Sequence, residues 1–181
     1  MPLHSLIAHL RANALRTDGP FTLRSGAVSS WYLDARQTTF SGEGALLVGA
    51  AVLDILKPDV EAVGGLTMGA DPIAMATAMV AAQRGRSLRA FSIRKEPKDH
   101  GTGGRLVGPV GEGSRVAIVE DTTTTGSAAL EAMDAATEAG LEVVQAIVLV
   151  DRSGGVGEEH FTARNVPYAA MITPSDLGVA E

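Results

Sequence analysis

The chain has 181 residues, a length that suits one domain with a sizeable hydrophobic core. It has no cysteine, which excludes disulfides and thiolate metal sites, and its net charge of −6 argues against general nucleic-acid binding. No apolar run reaches the roughly 18 residues of a membrane span, and the first residues lack the order of a signal peptide. We therefore expect a soluble cytoplasmic protein with no nucleic-acid and no membrane partner.

The first forty residues differ in pattern from the rest of the chain. Apolar residues within Pro2–Leu15 recur at close to helical spacing, which predicts a helix. Two short strands are predicted within Phe21–Ala35, on either side of a Ser-Gly turn. We predict one domain over residues 1–181, in which residues 1–40 form this helix and hairpin.

From residue 42 onward, predicted strands alternate with predicted helices, and several strands are continuous apolar runs. This order is typical of an α/β fold with a central, mostly parallel sheet and helices on both faces. Ligands of such sheets bind at the carboxyl ends of the strands. The predicted elements are helices at Gly42–Leu56, Asp71–Gln83 and Gly126–Ala139, and strands at Val60–Gly64, Leu88–Ile93, Arg115–Val119, Val143–Val150 and Val166–Ile172.

The most informative segment begins with the apolar stretch Val116–Val119. Two carboxylates follow, Glu120 and Asp121, and then come four threonines, a glycine and a predicted helix. Backbone N–H groups at a helix start bind anions, whereas adjacent carboxylates suit sugar hydroxyls or a metal. A ribose that carries a 5-phosphate suits both parts of the segment, because its hydroxyls fit the carboxylates and its phosphate fits the turn. The alternative is structural: Thr125 or Ser127 caps the helix, and the two acids are solvated at a strand end.

This segment resembles the signature with which type I phosphoribosyltransferases bind 5-phospho-α-D-ribosyl 1-diphosphate (PRPP). The resemblance implies the fold of that family. It also implies that the acid pair holds the ribose hydroxyls, that Asp121 acts in catalysis, and that the threonine-rich turn holds the 5-phosphate. The PRPP-binding residues implied in this segment are Glu120, Asp121, Thr122, Thr123, Thr124, Thr125, Gly126, Ser127 and Ala128.

A second segment, Arg94–Gly108, is polar, glycine-rich and longer than an ordinary connection. It concentrates cations in an acidic protein, as a clamp for a diphosphate leaving group requires. The alternative is a solvated loop that only keeps the protein soluble. The string Arg-Lys-Glu-x-Lys-x-His-Gly, followed by glycines and Leu-Val-Gly, resembles the catalytic loop of orotate phosphoribosyltransferases.

That resemblance assigns roles within the loop. Lys98 and His100 are implied to act in catalysis, and loop 94–108 is implied to be shared across the interface of a homodimer. The loop residues implied to bind PRPP are Arg94, Lys95, Lys98 and His100.

The hairpin over Phe21–Asp34 is similar to a small N-terminal hood that covers the base in the same family. Its sequence runs from Phe-Thr-Leu-Arg-Ser-Gly to Ser-Trp-Tyr-Leu-Asp. The resemblance implies that Arg24 and Tyr32 contact orotate.

The predicted strand that ends at Val150 delivers Asp151 and Arg152 to the ligand edge of the sheet. A guanidinium matches a carboxylate in a bidentate manner, and orotate carries a carboxylate. The resemblance assigns Arg152 and Thr124 to orotate binding. The structural alternative is an ion pair of Arg152 with Asp151 or Glu120.

Together these resemblances imply that the ribose 5-phosphate group of PRPP is transferred to orotate, giving orotidine 5-monophosphate and diphosphate on the path to UMP. Mg²⁺ is expected as the cofactor, held mainly through PRPP and not directly by protein ligands. The segment Gly64–Pro72 stands where the family has a diphosphate-binding turn, but it has no lysine, so only its backbone N–H groups are expected to bind. A transferase for another base and a non-catalytic PRPP-sensing regulator are the remaining alternatives.

Overall fold

The computed structural model describes residues 2–22, 26, 28–97 and 104–180. Three residues with predicted roles, Arg24, Lys98 and His100, lie outside the described residues. None of the helices within the described residues has both the length and the apolar character needed to cross a bilayer.

The chain begins with helix α1 (Pro2–Asn13), as its apolar spacing predicts. Leu6 and Leu10, four residues apart on one face of α1, are completely buried. Two antiparallel pairs of short strands follow: β1 (Leu15–Arg16) pairs with β4 (Tyr32–Leu33), and β2 (Phe21–Thr22) pairs with β3 (Val28–Ser29). A hairpin is therefore present within Phe21–Ala35, but its strands are β2 and β3. The predicted second strand, which includes Tyr32 and Leu33, pairs instead with β1, an element that the sequence pattern did not predict.

The central sheet has six strands in the order β10-β9-β8-β5-β6-β7. Neighbouring strands are parallel except β6 and β7, which are antiparallel. The predicted α/β class with a mostly parallel sheet is confirmed. The strands are β5 (Ala62–Leu66), β6 (Arg89–Ile93), β7 (Leu106–Val107), β8 (Arg115–Thr123), β9 (Glu142–Asp151) and β10 (Tyr168–Ile172).

Helices cover both faces of this sheet because its apolar residues alternate in direction. Ala117 and Val119 of β8 pack into one buried cluster, which includes residues of α1, α3 and α4, whereas Val116 and Ile118 pack into a second cluster, which includes residues of α5 and α6. The helices that follow α1 are α2 (Arg36–Thr39), α3 (Gly42–Ile55), α4 (Ala70–Gln83), α5 (Ser127–Glu138) and α6 (Val156–Thr162).

Two strands run further toward the site than their apolar runs suggest. Strand β8 continues beyond Val119 to Thr123, and β9 continues to Asp151, because the two strands keep their parallel pairing over these polar residues. The last pairs in that register are Thr122 with Val150 and Thr123 with Asp151. The predicted strand ends were therefore too early, since pairing with a neighbour can hold polar residues in a strand.

Candidate active site

The carboxyl ends of β8 and β9 lie side by side, and together they hold the residues of both main motifs. The backbone N–H of Arg152 donates to the carbonyl oxygen of Thr123 at 2.8 Å. The threonine-rich turn that leaves β8 and the arginine that follows β9 are thus tied together by the backbone. Parallel pairing brings residues that are about thirty positions apart in the chain to one edge of the sheet.

The acid pair lies within β8, and its two members have different environments. Glu120 is 6% exposed, and its Oε2 atom has no hydrogen-bond partner among the described residues. Burial raises the pKa of the Glu120 carboxyl to about 9, and the neighbouring Asp121 carboxylate adds to this rise. The nearby charge of Lys95 opposes it. Asp121 is more accessible, and its Oδ1 atom accepts a hydrogen bond from the N–H of Thr122 at 2.8 Å.

The turn after β5 lies directly against this acid pair. A Cβ atom built on Gly69 would come within 2.6 Å of Oδ1 of Asp121 and 3.1 Å of Oε1 of Glu120. At the start of the same turn, the hydroxyl of Thr67 donates to Oδ2 of Asp71 at 2.6 Å, which ties the turn to the first residues of α4. The turn expected to offer only backbone groups is therefore adjacent to the carboxylates. Among the described residues, no group of three or more His, Cys, Asp or Glu side chains is placed to hold a metal ion.

The threonine-rich turn connects β8 to α5, which begins at Ser127. Gly126 precedes the helix with a φ of +77°, a conformation that favours glycine. Its N–H donates to the hydroxyl of Thr123 at 2.7 Å, so the Thr123 side chain orders the turn from its buried side. Thr124, Thr125 and Ser127 are exposed at the helix start, with the hydroxyls of Thr125 and Ser127 3.0 Å apart. This leaves exposed hydroxyls at a helix N-terminus, which is an anion site in chemical terms.

Helix α6 packs behind this turn. A Cβ atom on Gly126 would lie 3.3 Å from Cα of Gly157 and 3.5 Å from Nδ1 of His160, both in α6. Gly126 is therefore required by its backbone conformation and by the approach of α6. The sequence reasoning did not find α6, because the segment after Ser153 shows no recognisable motif.

Arg152 stacks on an aromatic ring and has no ionic partner in the part of the chain that the structure describes. Its guanidinium carbon lies 4.2 Å from the centroid of the Trp31 ring, and burial lowers the pKa of the guanidinium. Its Nε atom is buried without a hydrogen-bond partner among the described residues, and no carboxylate described in the structure lies within 4.0 Å of the guanidinium. The carboxylate of Asp151 binds elsewhere: it accepts from the hydroxyl of Tyr168 and from the N–H of Ser153, each at 2.7 Å.

The hood residue Tyr32 follows Trp31 and is 39% exposed. Its ring packs against that of Phe21, with the centroids 5.9 Å apart. Tyr32 comes directly after Trp31, whose ring stacks on Arg152. The hood thus contributes a ring that stacks on Arg152 and, at the next position in the chain, an accessible phenol.

The two ends of the basic loop are joined to each other. Backbone N–H of Arg94 donates to the carbonyl of Arg105 at 2.9 Å, and Nε of Arg105 donates to the carbonyl of Arg94 at 2.7 Å. The guanidinium of Arg105 also pairs with Glu131 of α5. Arg105 therefore anchors the base of the loop, while Lys95 is exposed and Arg94 is partly buried.

The arrangement explains which side chains the sequence reasoning missed. The hood motif includes Trp31 but does not indicate its contact with Arg152, and Tyr168 and Ser153 lie in a region without a motif. Their roles depend on contacts between distant parts of the chain: Tyr168 reaches Asp151 from β10, and Ser153 accepts from the N–H of Gly157 at 2.9 Å. The one signal in the sequence is that aromatic residues are rare in this chain, at 4%.

An acid pair and an anion-binding turn at the carboxyl edge of a parallel sheet form the site of a type I phosphoribosyltransferase. The comparisons with known proteins agree with this class. The orotate phosphoribosyltransferase of Streptomyces avermitilis is 47% identical over 162 residues, which are 89% of this chain and 89% of that protein. No protein-family model matches the chain.

Solved structures give the same result. The orotate phosphoribosyltransferase of Mycobacterium tuberculosis in complex with Fe(III) dicitrate has a TM-score of 0.88 and 35% identity, covering 99% of this chain and 100% of that chain. The same enzyme in complex with PRPP has a TM-score of 0.83 and 32% identity, over 99% and 100% of the two chains. The chain belongs to the orotate phosphoribosyltransferase family, and the family predicted from the motifs is confirmed.

Proposed function

We propose that this chain transfers the ribose 5-phosphate group of PRPP to orotate, giving orotidine 5-monophosphate and diphosphate in the synthesis of UMP. The observation that carries the proposal is the backbone bond between Arg152 and Thr123, which joins a carboxylate-binding arginine to the phosphate turn. A substrate with a phosphate at one end and a carboxylate-bearing base at the other fits between them. The Mycobacterium tuberculosis relative, named an orotate phosphoribosyltransferase, binds PRPP in its crystal structure, which supports the same ligand here.

The acid pair binds the ribose. Glu120 and Asp121 accept hydrogen bonds from the 2- and 3-hydroxyls, and the exposed Thr124, Thr125 and Ser127 with the helix N–H groups bind the 5-phosphate. The buried Oε2 atom of Glu120 has no hydrogen-bond partner among the described residues, which supports this role, since a buried oxygen without a partner gains stability when a hydroxyl arrives. Binding fixes C1 of the ribose at the edge of the sheet, between the base and the leaving group.

The base binds through its carboxylate. Arg152 is partly buried and has no ionic partner among the described residues, so its N–H groups can receive the orotate carboxylate in a bidentate manner. Tyr32 and Thr124 complete the contacts to the base, with Arg24 of the hood. Orotate then displaces diphosphate from C1 with inversion, through a transition state that resembles an oxocarbenium ion.

Cations stabilise the departing diphosphate. Arg94 and Lys95 stand at the start of the loop, and Lys98 and His100 follow them, with His100 able to give a proton. When the loop closes, it also keeps water from the activated sugar. Mg²⁺ would be held mainly through PRPP, near the side chains of Glu120 and Asp121, and it would supply positive charge that offsets the charge of the leaving diphosphate.

The active unit is a homodimer in the cytoplasm, with loop 94–108 shared between subunits. Several large apolar side chains support a partner surface, because they are more than half exposed in the single chain. Two of them, Met75 and Met79, lie one turn apart on α4. The side chains are Val28, Phe40, Leu46, Met68, Met75 and Met79. Sedimentation analysis should therefore give the mass of two chains.

The function is tested with purified protein, PRPP and Mg²⁺, by following the loss of orotate absorbance and the release of diphosphate. We expect one diphosphate for each orotate consumed, and no turnover of uracil or adenine offered in its place. Turnover of one of those bases alone would contradict the assignment of the base. PRPP binding without diphosphate release for any base would instead indicate a PRPP-sensing regulator.

A further inference from the structure

The C-terminal segment of the chain reaches the hood. The indole Nε1 of Trp31 donates a hydrogen bond to the carbonyl oxygen of Ala180 at 2.9 Å. The segment itself is held in place: Leu177 is 3% exposed, and Arg11 of α1 donates to the carbonyl oxygens of Asp176 and Leu177 at 2.7 Å and 3.0 Å. Trp31 is therefore fixed from one side by residues almost 150 positions away.

The backbone of Trp31 is fixed as well. Its carbonyl oxygen accepts from the hydroxyl of Ser29 at 2.8 Å, and only 6% of the residue is exposed. An indole held in this way offers a rigid aromatic face. On that face lies the guanidinium of Arg152, with its carbon 4.2 Å from the ring centroid. Stacking of this kind attracts the cation while it leaves the N–H edge of the guanidinium free to bind an anion.

Arg152 has little else to hold its side chain. Its Nε atom is buried without a hydrogen-bond partner among the described residues, and the neighbouring Asp151 is already bound to Tyr168 and Ser153. The backbone hydrogen bond to Thr123 fixes the main chain of Arg152 but not the direction of its guanidinium. The aromatic contact is thus the main interaction that orients the head group in the described structure.

We propose that Trp31, locked by the Ala180 carbonyl, is a positioning residue that orients the Arg152 guanidinium for a base that carries a carboxylate. The inference rests on the proposed function, because it needs Arg152 to bind that carboxylate. It assigns a role to the C-terminal segment, for which the sequence offers no motif. It also makes the hood part of base selection, since without the stack Arg152 adopts several orientations and binds a planar carboxylate less well.

Steady-state kinetics separate this role from a structural one. Trp31→Leu keeps an apolar side chain but removes the aromatic face. Because a partly desolvated cation–π contact is lost, we expect the KM for orotate to rise about tenfold. The KM for PRPP should change by less than about twofold. Trp31→Phe keeps a ring but lacks the N–H that Ala180 accepts, so its KM for orotate should lie between those of Trp31→Leu and the wild type. The matched control is Leu33→Ala, which removes a buried side chain of the hood two residues further along and leaves Trp31 in place.

An equal and selective rise in the orotate KM for Leu33→Ala and Trp31→Leu would overturn the inference, because the effect would then come from loss of the hood. A parallel rise in the KM for both substrates in Trp31→Leu would overturn it as well. If the wild type itself fails to consume orotate, the proposed function fails before any variant is compared. The two failures are therefore distinguishable.

Fluorescence offers a readout that does not depend on turnover, because Trp31 is the single tryptophan of the chain. Orotidine 5-monophosphate places a carboxylate on Arg152, so its titration should shift or quench the emission with saturation. Ribose 5-phosphate fills the phosphate turn without a base and should leave the emission unchanged. The same response to both ligands, or a response to neither, would contradict the coupling between Trp31 and the base.

Discussion

Gly69 touches Asp121 so closely that a Cβ atom on residue 69 would lie 2.6 Å from the Oδ1 atom of the carboxylate. The φ of Gly69 is −62°, so alanine adopts this backbone without strain, and the three atoms nearest to an added Cβ all belong to the acid pair. Because the conflict is with the end of a side chain, the carboxylate can rotate away. The fold should survive, and the ribose site should not keep its geometry.

We therefore expect Gly69→Ala to raise the KM for PRPP about tenfold, the result of weakening one contact to a charged group. Its thermal unfolding temperature should remain close to that of the wild type. Gly42→Ala is the matched control, because a Cβ atom at Gly42 has no neighbour within 4 Å. Unchanged PRPP kinetics in Gly69→Ala would show that the turn does not set the position of Asp121.

The buried Glu120 should make the stability of the ligand-free protein depend on pH. Its pKa is about 9 in the folded chain against an ordinary value of 4.5, so the folded state binds more protons between these two values. The stabilising contribution of this proton is complete below the pKa of the unfolded chain, 4.5, and is lost as the pH rises through the pKa of the folded chain, about 9. The free energy of unfolding should fall over this range by at most about 1.4 kcal/mol per pH unit.

Denaturant unfolding of Glu120→Gln, which mimics the neutral carboxyl, should give a flatter dependence on pH than the wild type over the same range. Glu112→Gln changes an exposed carboxylate and serves as the control. Identical slopes for the wild type and Glu120→Gln would mean that the carboxyl does not hold its proton in the folded state.

Arg152 should determine the affinity for orotate. Loss of a charge-assisted contact costs about 1.5–3 kcal/mol, so Arg152→Ala should raise the KM for orotate by about tenfold to more than a hundredfold. PRPP binding, measured by calorimetry, should change little. Arg152→Lys retains the charge but loses the planar fork, and it should recover only part of the affinity. An equal loss of affinity for both substrates would be incompatible with this assignment.

The exposed hydroxyls of the phosphate turn give a further prediction. Thr125→Val keeps the shape of the side chain and removes the hydroxyl that lies 3.0 Å from that of Ser127. We expect the KM for PRPP to rise about fivefold to tenfold, with the KM for orotate unchanged. Thr137→Val removes a hydroxyl that bonds within α5, far along the helix from the turn, and it should leave both KM values unchanged. Wild-type kinetics in Thr125→Val would place the phosphate elsewhere.

The loop can be tested for both its chemistry and its place in the dimer. Lys98→Ala should lower kcat more than it weakens substrate binding, because its charge is needed when diphosphate leaves. Asp121→Ala should be inactive for a different reason, the loss of a ribose contact. If the loop is shared, a mixed dimer has one site with both changes and one with neither. Mixing the two inactive proteins should then restore part of the activity, whereas no recovery after confirmed subunit exchange would mean that each loop serves its own subunit.

Local patterns in the sequence were sufficient for the family and for most of the sheet. The alternation of apolar strands and helices predicts the α/β class because burial on both faces demands it. The segment from Glu120 to Ser127 predicts a phosphate turn because its chemistry is contiguous: carboxylates, hydroxyls, glycine and helix start follow one another without interruption. Sequence order alone carries this information, and the structure places these residues together at the end of β8.

Contacts between distant segments were decided only by the tertiary structure. That Glu120 is buried and Asp121 accessible depends on the packing around β8, since both are carboxylates in adjacent positions. Tyr168 reaches Asp151 from another strand and holds its carboxylate, which therefore does not pair with Arg152. The stacking of Trp31 under Arg152 depends on a C-terminal carbonyl. None of these contacts leaves a periodic or contiguous trace in the sequence, because each joins side chains that only the folding of the whole chain brings together.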